Sequence, residues 1–160
     1  MKKAQQKKGL YVLFILYLIA LFYVTLLAWN YGASLGTAAP GGRNYNLIPF
    51  RSIYRIAVYS PDMIAPIRIL VGNIVMFMPL GFLLPMLFPK LRIVGLVTLI
   101  GFVISLFIES SQFLFTHRVA NIDDLILNTL GAFLGSLIAI GILKARKRII
   151  VYTTDQKSSL

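Results

Sequence analysis

Glu109 lies in the run Ser105-Leu-Phe-Ile-Glu-Ser-Ser-Gln-Phe-Leu-Phe115, a carboxylate among residues otherwise apolar enough for hydrocarbon. An ionisable side chain at the centre of a bilayer costs roughly 3 kcal/mol or more unless it faces a polar interior, so by default it marks a functional site. Just beyond it, Asn121-Ile-Asp-Asp-Leu-Ile-Leu-Asn128 adds two more acids and further amides. Carboxylates in different environments can divide the work of general acid and general base. Glu109, Asp123 and Asp124 are therefore the candidates for catalysis, with Glu109 as base and either aspartate as second acid or metal ligand. Between the two segments, Arg118 offers a guanidinium fork suited to a carboxylate or phosphate. Each group has a competing structural role. Glu109 could pair with Arg68 or Arg118, and Asp123 or Asp124 could cap a helix whose N-terminal dipole favours an acid. Asn73 and Asn128 could serve only as interhelical glue.

The elements that must position these groups are membrane-spanning helices. Of the 160 residues, 58% are hydrophobic and 13% charged, and mean hydropathy is +0.82. Four apolar stretches approach the ~20 residues needed to cross a bilayer. The expected fold is all-α and polytopic, a single four-helix membrane domain over residues 10–143 between a basic N-terminus, 1–9, and a basic tail, 144–160. Its spans run from Leu10 to Trp29, Pro66 to Phe88, Ile93 to Phe115 and Asp123 to Leu143. The first is too long for the core of a signal peptide and is read as an uncleaved span, with Tyr11 and Trp29 at headgroup level. Pro79, Gly81 and Pro85 predict a kink or break between Phe77 and Gly81. The long segment 30–65 is the first external loop. Its second half places Arg51 and Arg55 four residues apart, with Ile53, Ile56 and Ala57 between and around them and Tyr54 and Tyr59 nearby. That spacing predicts a short helix on the membrane surface, Arg side outward.

Counting Lys and Arg orients the chain. With the N-terminus cytoplasmic, eleven of the 16 basic residues fall inside, and Arg43, Arg51, Arg55, Arg68 and Arg118 fall outside, so both termini face the cytoplasm. A helical rise of about 1.5 Å per residue then puts Asn73, Glu109 and Asn128 each about 10 Å below the outer boundary. Ser105, Glu109 and Gln112 share one face of the third span, and Asp124, Asn128, Gly131 and Gly135 share one face of the fourth. The small-xxx-small pair Gly131 and Gly135 allows close approach to a neighbour and is expected to bring the polar face of the fourth helix against the third. The pattern does not say whether that neighbour is in the same chain, so a homo-oligomer is compatible with it. The whole predicts an outward-opening polar pocket with Glu109, Asn73 and Asn128 as its floor. Arg68, Gln112, Arg118, Asp123 and Asp124 form its rim, and the long loop covers it.

Several function classes are excluded. The chain has no cysteine and one histidine, His117, which removes thiolate nucleophiles, disulfides and zinc sites built from Cys or paired His. No metal site or cofactor is expected. The net charge of +11 sits at the ends of apolar segments rather than along a groove-shaped face, so it reads as topology signal and not as a nucleic-acid footprint. The expected partners are membrane lipids.

Four ordered segments carry a resemblance. Asn46-Leu-Ile-Pro-Phe50, Gly72-Asn-Ile-Val-Met-Phe-Met-Pro-Leu-Gly-Phe82, Ser105-Leu-Phe-Ile-Glu-Ser-Ser-Gln112 and Arg118-Val-Ala-Asn-Ile-Asp-Asp-Leu-Ile-Leu-Asn-Thr-Leu-Gly131 resemble the motif set of the VanZ-like family over residues 46–135. The resemblance implies a bacterial plasma-membrane protein of the cell envelope, in a family named for teicoplanin resistance. Carried over by position, it implies functional roles for Asn46, Pro49, Phe50, Asn73, Pro79, Gly81, Glu109, Gln112, Arg118, Asp124, Asn128 and Gly131. The ligand-binding candidates are thus Asn46, Asn73, Glu109, Gln112, Arg118, Asp124 and Asn128. Three functions remain open. The favoured one is a non-enzymatic envelope protein whose outer pocket binds a lipid-linked precursor or the lipid tail of a lipoglycopeptide. The second is a membrane enzyme acting on a lipid phosphate or glycolipid through Glu109 with Asp123 or Asp124. The third is a small proton-coupled transporter built around Glu109.

Overall fold

The computed structural model describes residues 2–28, 45–59, 64–116 and 119–158. Arg43, His117 and Arg118 lie outside the described residues, and so does the side chain of Arg68, so the rim roles expected of Arg68 and Arg118 fall there too. With no water in hydrocarbon to satisfy N–H and C=O groups, apolar runs of this length fold as helices that bond internally. Helix α1 (Lys2–Phe22) continues into a π-helical turn at Tyr23–Leu27. It is followed by β1 (Tyr45–Asn46), α2 (Arg51–Tyr59), α3 (Ile64–Leu87), α4 (Val94–Phe115), β2 (Ala120–Asn121) and α5 (Ile122–Ser158). A 3-10 turn at Pro89–Leu91 joins α3 to α4. Four helices are long and apolar enough to cross a membrane, through Gln5–Leu27, Ile69–Leu87, Val94–Phe115 and Ile122–Lys147. The protein is a multi-pass membrane protein. The helix expected in the loop is present as α2.

Of the kink or break expected between Phe77 and Gly81, the break is absent, since α3 is helical throughout Ile64–Leu87 with Pro79 and Pro85 inside it. Proline removes one bond from the ladder, and packing against neighbouring helices holds the turn together; the Tyr17 hydroxyl ties α1 to this part of α3 by donating to the Met76 carbonyl at 2.9 Å. Helix α5 continues through the basic tail to Ser158, beyond the span expected to end at Leu143. Finally, β1 and β2 form a two-residue parallel bridge, Tyr45 opposite Ala120 and Asn46 opposite Asn121, which an all-α reading does not contain.

Helix α5 lies against α3 and α4 and packs most closely on α3. A Cβ on Gly131 would stand 2.2 Å from the Ile74 carbonyl oxygen, and one on Gly135 would stand 2.1 Å from that of Met78. The glycine seam therefore joins the fourth span to the second, not to the third, and the partner is in the same chain. A helix between two neighbours uses adjoining sides of one stripe, so its period cannot say which neighbour takes which side. Asn128, on the same stripe, does face the third span. Leu21, Phe77, Leu80, Leu84, Val97 and Ile108 form the apolar core between α1, α3 and α4. Edge-on contacts of Tyr11 and Phe14 with Phe88 help fasten α1 at one end.

Candidate functional site

The polar groups gather where β1 and α2 fold over the ends of α4 and α5, and Asn121 joins them. As the residue before α5, it caps that helix by accepting the Asp123 N–H on Oδ1 at 3.2 Å. The same oxygen accepts the Asn46 amide at 3.1 Å and the Ser52 hydroxyl at 3.2 Å. The Asn121 backbone N–H donates to Glu109 Oε2 at 2.8 Å, and its side-chain amide donates to Asp124 Oδ1 at 3.4 Å. Asn73 reaches the same Asp124 oxygen from α3 at 3.0 Å. Asn46 also donates to Ser52 Oγ at 2.9 Å, and its Oδ1 accepts the Ile48 N–H at 3.3 Å in an Asx turn.

Asp123 is 1% exposed and adjoins this hub through Ser52. Its Oδ1 accepts the N–H of Phe50, and its Oδ2 accepts those of Ser52 at 2.9 Å and Ile53 at 3.3 Å. These are the amides of the residue before α2 and of its first turn, which a helix leaves without internal partners. Phe50 has φ 63°, a left-handed conformation that costs a non-glycine residue about 1 kcal/mol. A left-handed residue beside right-handed ones turns successive N–H groups toward one point, making a nest for an anion. The Asp123 carboxylate fills that nest, and charge-assisted hydrogen bonds offset the strain. Proposed from the sequence as a second acid, a metal ligand or a cap of its own helix, Asp123 instead caps a helix 71 residues away.

The remaining candidates have other surroundings. Gln112, 3% exposed, donates to the Thr25 carbonyl at 2.8 Å and so satisfies an acceptor at the end of the first span. Asn128 donates to Ser105 Oγ at 2.9 Å, while its buried Oδ1 has no hydrogen-bond partner. The structure thus connects Asn46, Asn73, Glu109 and Asp124 through Asn121, sets Asp123 beside them, and places Gln112 and Asn128 in separate contacts. Sequence reasoning passed over Asn121, Ser52 and Thr25 as site residues. The signal for Asn121 was present, since an amide just before an acid-led helix is an N-cap signature. Ser52 and Thr25 carried no such signal.

Glu109 also borders a cleft of about 680 Å³ between β1 and the facing ends of α4 and α5. Its walls include Tyr45, Leu47, Leu106, Phe113, Leu114 and Leu125, with Glu109, Ser110 and Asn121 as its polar members. Asn73, Gln112, Asp124 and Asn128 do not line it, so the single polar pocket expected from depth alone is not the cleft that Glu109 faces. Among the described residues no group of three or more His, Cys, Asp or Glu is placed to hold a metal ion.

Fold and site together define a four-span membrane protein in which a loop segment, β1 with α2, is strapped across one end of the bundle by buried acids and amides. The chain belongs to the VanZ/LLP1 family, whose model matches residues 14–144. It is similar to Protein VanZ of Enterococcus faecium, with 31% identity over 122 residues, 75% of this chain and 66% of that protein. The match therefore spans just under two thirds of the relative's own length. No solved structure matches the chain.

Proposed function

We propose that this is a bacterial plasma-membrane protein that lowers sensitivity to glycopeptide and lipoglycopeptide antibiotics by holding an amphiphile at the outer face. The observation that carries this reading is the cleft beside Glu109, an apolar trough with a short polar edge. Its size lies within the range of small-molecule sites, and apolar walls with a few fixed polar groups are how such sites take ligands with a chain and a head. Leu47, Leu106 and Leu114 on its walls are exposed, so an acyl or prenyl chain can enter from the lipid side. Family membership supports the link to the envelope and to glycopeptides. The enzymatic alternative loses a participant, because Asp123 is committed to the backbone of α2.

The test is protection against teicoplanin in a sensitive host, with membrane abundance measured in parallel. Glu109→Gln keeps an oxygen to accept the Asn121 N–H but removes the charge, and Leu106→Trp fills the cleft. Both are expected to abolish protection at normal abundance. Full protection by both variants would overturn the reading.

A further inference from the structure

Helix α2 presents a face that neither the apolar cleft nor the Asn121 hub uses. At 100° per residue, Tyr54, Val58, Arg51, Arg55 and Tyr59 fall in that order around one continuous arc, and all five are exposed. Tyr54 is 65% and Tyr59 76% exposed. The two guanidiniums stand one turn apart with no ion-pair partner among the described residues, and residues 45–59 contain no acid. A like-charge pair at this spacing works against a helix unless an anion lies between its members. Aromatic rings flanking arginines beside apolar side chains are the composition of the headgroup layer. Leu47, Ile48 and Phe50, next in the strap, are each more than half exposed and extend the apolar side.

We propose that this arc recognises a lipid phosphate, belonging to the same amphiphile whose chain lies in the cleft. Leu47 is in the cleft wall, and the Arg51 N–H bonds to the Ile48 carbonyl at 3.3 Å, so a tight turn carries the chain from the cleft's lip straight to the first guanidinium. Arginine forks match phosphate oxygens in pairs, and two of them one turn apart bracket one phosphate. The helix N-terminus, the other anion site on α2, is already filled by Asp123, which leaves the exposed arc to bind the ligand. The ligand class is therefore a phosphate-bearing lipid rather than a neutral one.

This inference rests on the cleft reading, and one experiment separates them. The full chain is purified into nanodiscs of zwitterionic lipid and titrated with dioleoyl phosphatidic acid or with dioleoylglycerol, which differ only by the phosphate, and bound lipid is counted by native mass spectrometry. Phosphatidic acid is expected to bind saturably and about tenfold more tightly or better, since each fork contact is a charged hydrogen bond. Arg51→Gln with Arg55→Gln is expected to erase that preference while leaving dioleoylglycerol binding unchanged, and Leu106→Trp is expected to weaken both lipids. Equal affinities, or a preference that survives the double variant, would overturn the phosphate assignment and leave the cleft reading standing. A preference that grows with total anionic lipid and never saturates would mark simple attraction to a charged bilayer, and also overturns it. Indifference of both lipids to Leu106→Trp would remove the cleft reading and this inference with it.

Discussion

Asp123 and Asn128 are both buried polar side chains, and their surroundings predict opposite responses to substitution. Asp123 meets three backbone N–H groups with two charged oxygens, so its environment is complementary. Asp123→Asn turns an NH₂ group toward donors and removes the charge, for an expected loss of about 2 kcal/mol or more. The loss falls on the strap rather than the bundle. Hydrogen exchange at Phe50, Ser52 and Ile53 should speed up about thirtyfold while amides within α3 and α5 keep their protection, and unchanged exchange at those three positions would refute the cap. Asn128 is the reverse case, since its Oδ1 has no partner and its amide holds only Ser105. Interhelical polar contacts in membranes average about 0.6 kcal/mol, and an orphaned buried acceptor costs about 1–3 kcal/mol. Asn128→Leu, of similar length, frees the Ser105 hydroxyl to bond a carbonyl of its own helix. Thermal unfolding in detergent should be unchanged or shifted upward, and a clear downward shift would mean that the orphan oxygen has a structural role.

Helices are where the sequence is most legible. The four spans could be read because their apolar runs cover the bilayer, and α2 because Arg51 and Arg55 are spaced by one turn; both signals are local. What could not be read is which neighbour each face meets. The glycine stripe announced a close approach, yet nothing in its spacing chose α3 over α4. Gln112 and Asp123 were visible as polar residues, but their partners lie 87 and 71 residues away, and pairing over such distances leaves no local pattern. Depth counting put Asn73, Glu109 and Asn128 at one level, but Glu109 bonds to Asn121 at the start of α5, Asn73 to Asp124, and Asn128 to Ser105 one turn further along α4. The α3–α5 seam is testable with an internal control. Gly135→Ala drives a methyl into the Met78 carbonyl and the backbone of Phe82, while Gly95→Ala and Gly141→Ala meet nothing within 4 Å. The first should destabilise the protein by about 1–3 kcal/mol through forced separation of the helices. The other two should be neutral or stabilise by about 0.5–1 kcal/mol through helix propensity. Equal effects at all three positions in thermal unfolding would mean that the close approach is not sustained.

At the scale of the whole molecule, everything proposed for the cleft depends on which way the bundle faces. Helix α5 has 37 residues and is about 55 Å long at 1.5 Å per residue, far more than the ~30 Å of hydrocarbon, so it projects beyond the membrane on the side carrying Lys144, Arg146 and Lys147. The strap and the cleft are at the opposite end. The excess of Lys and Arg on the projecting side, shared by the N-terminal lysines and the α3–α4 turn, is the basis for proposing that this side is cytoplasmic and the cleft external. Because the chain contains no cysteine, single cysteines report on this without background. Tyr59→Cys, at an exposed position on the strap, should react in intact cells with a maleimide that cannot cross membranes, and Lys147→Cys should react only after permeabilisation. The reverse pattern would turn the molecule over. It would put the cleft and the Arg51 face on the cytoplasmic side, where an antibiotic acting outside the cell cannot meet them, and the proposed mechanism of protection would fail however well the cleft binds lipid.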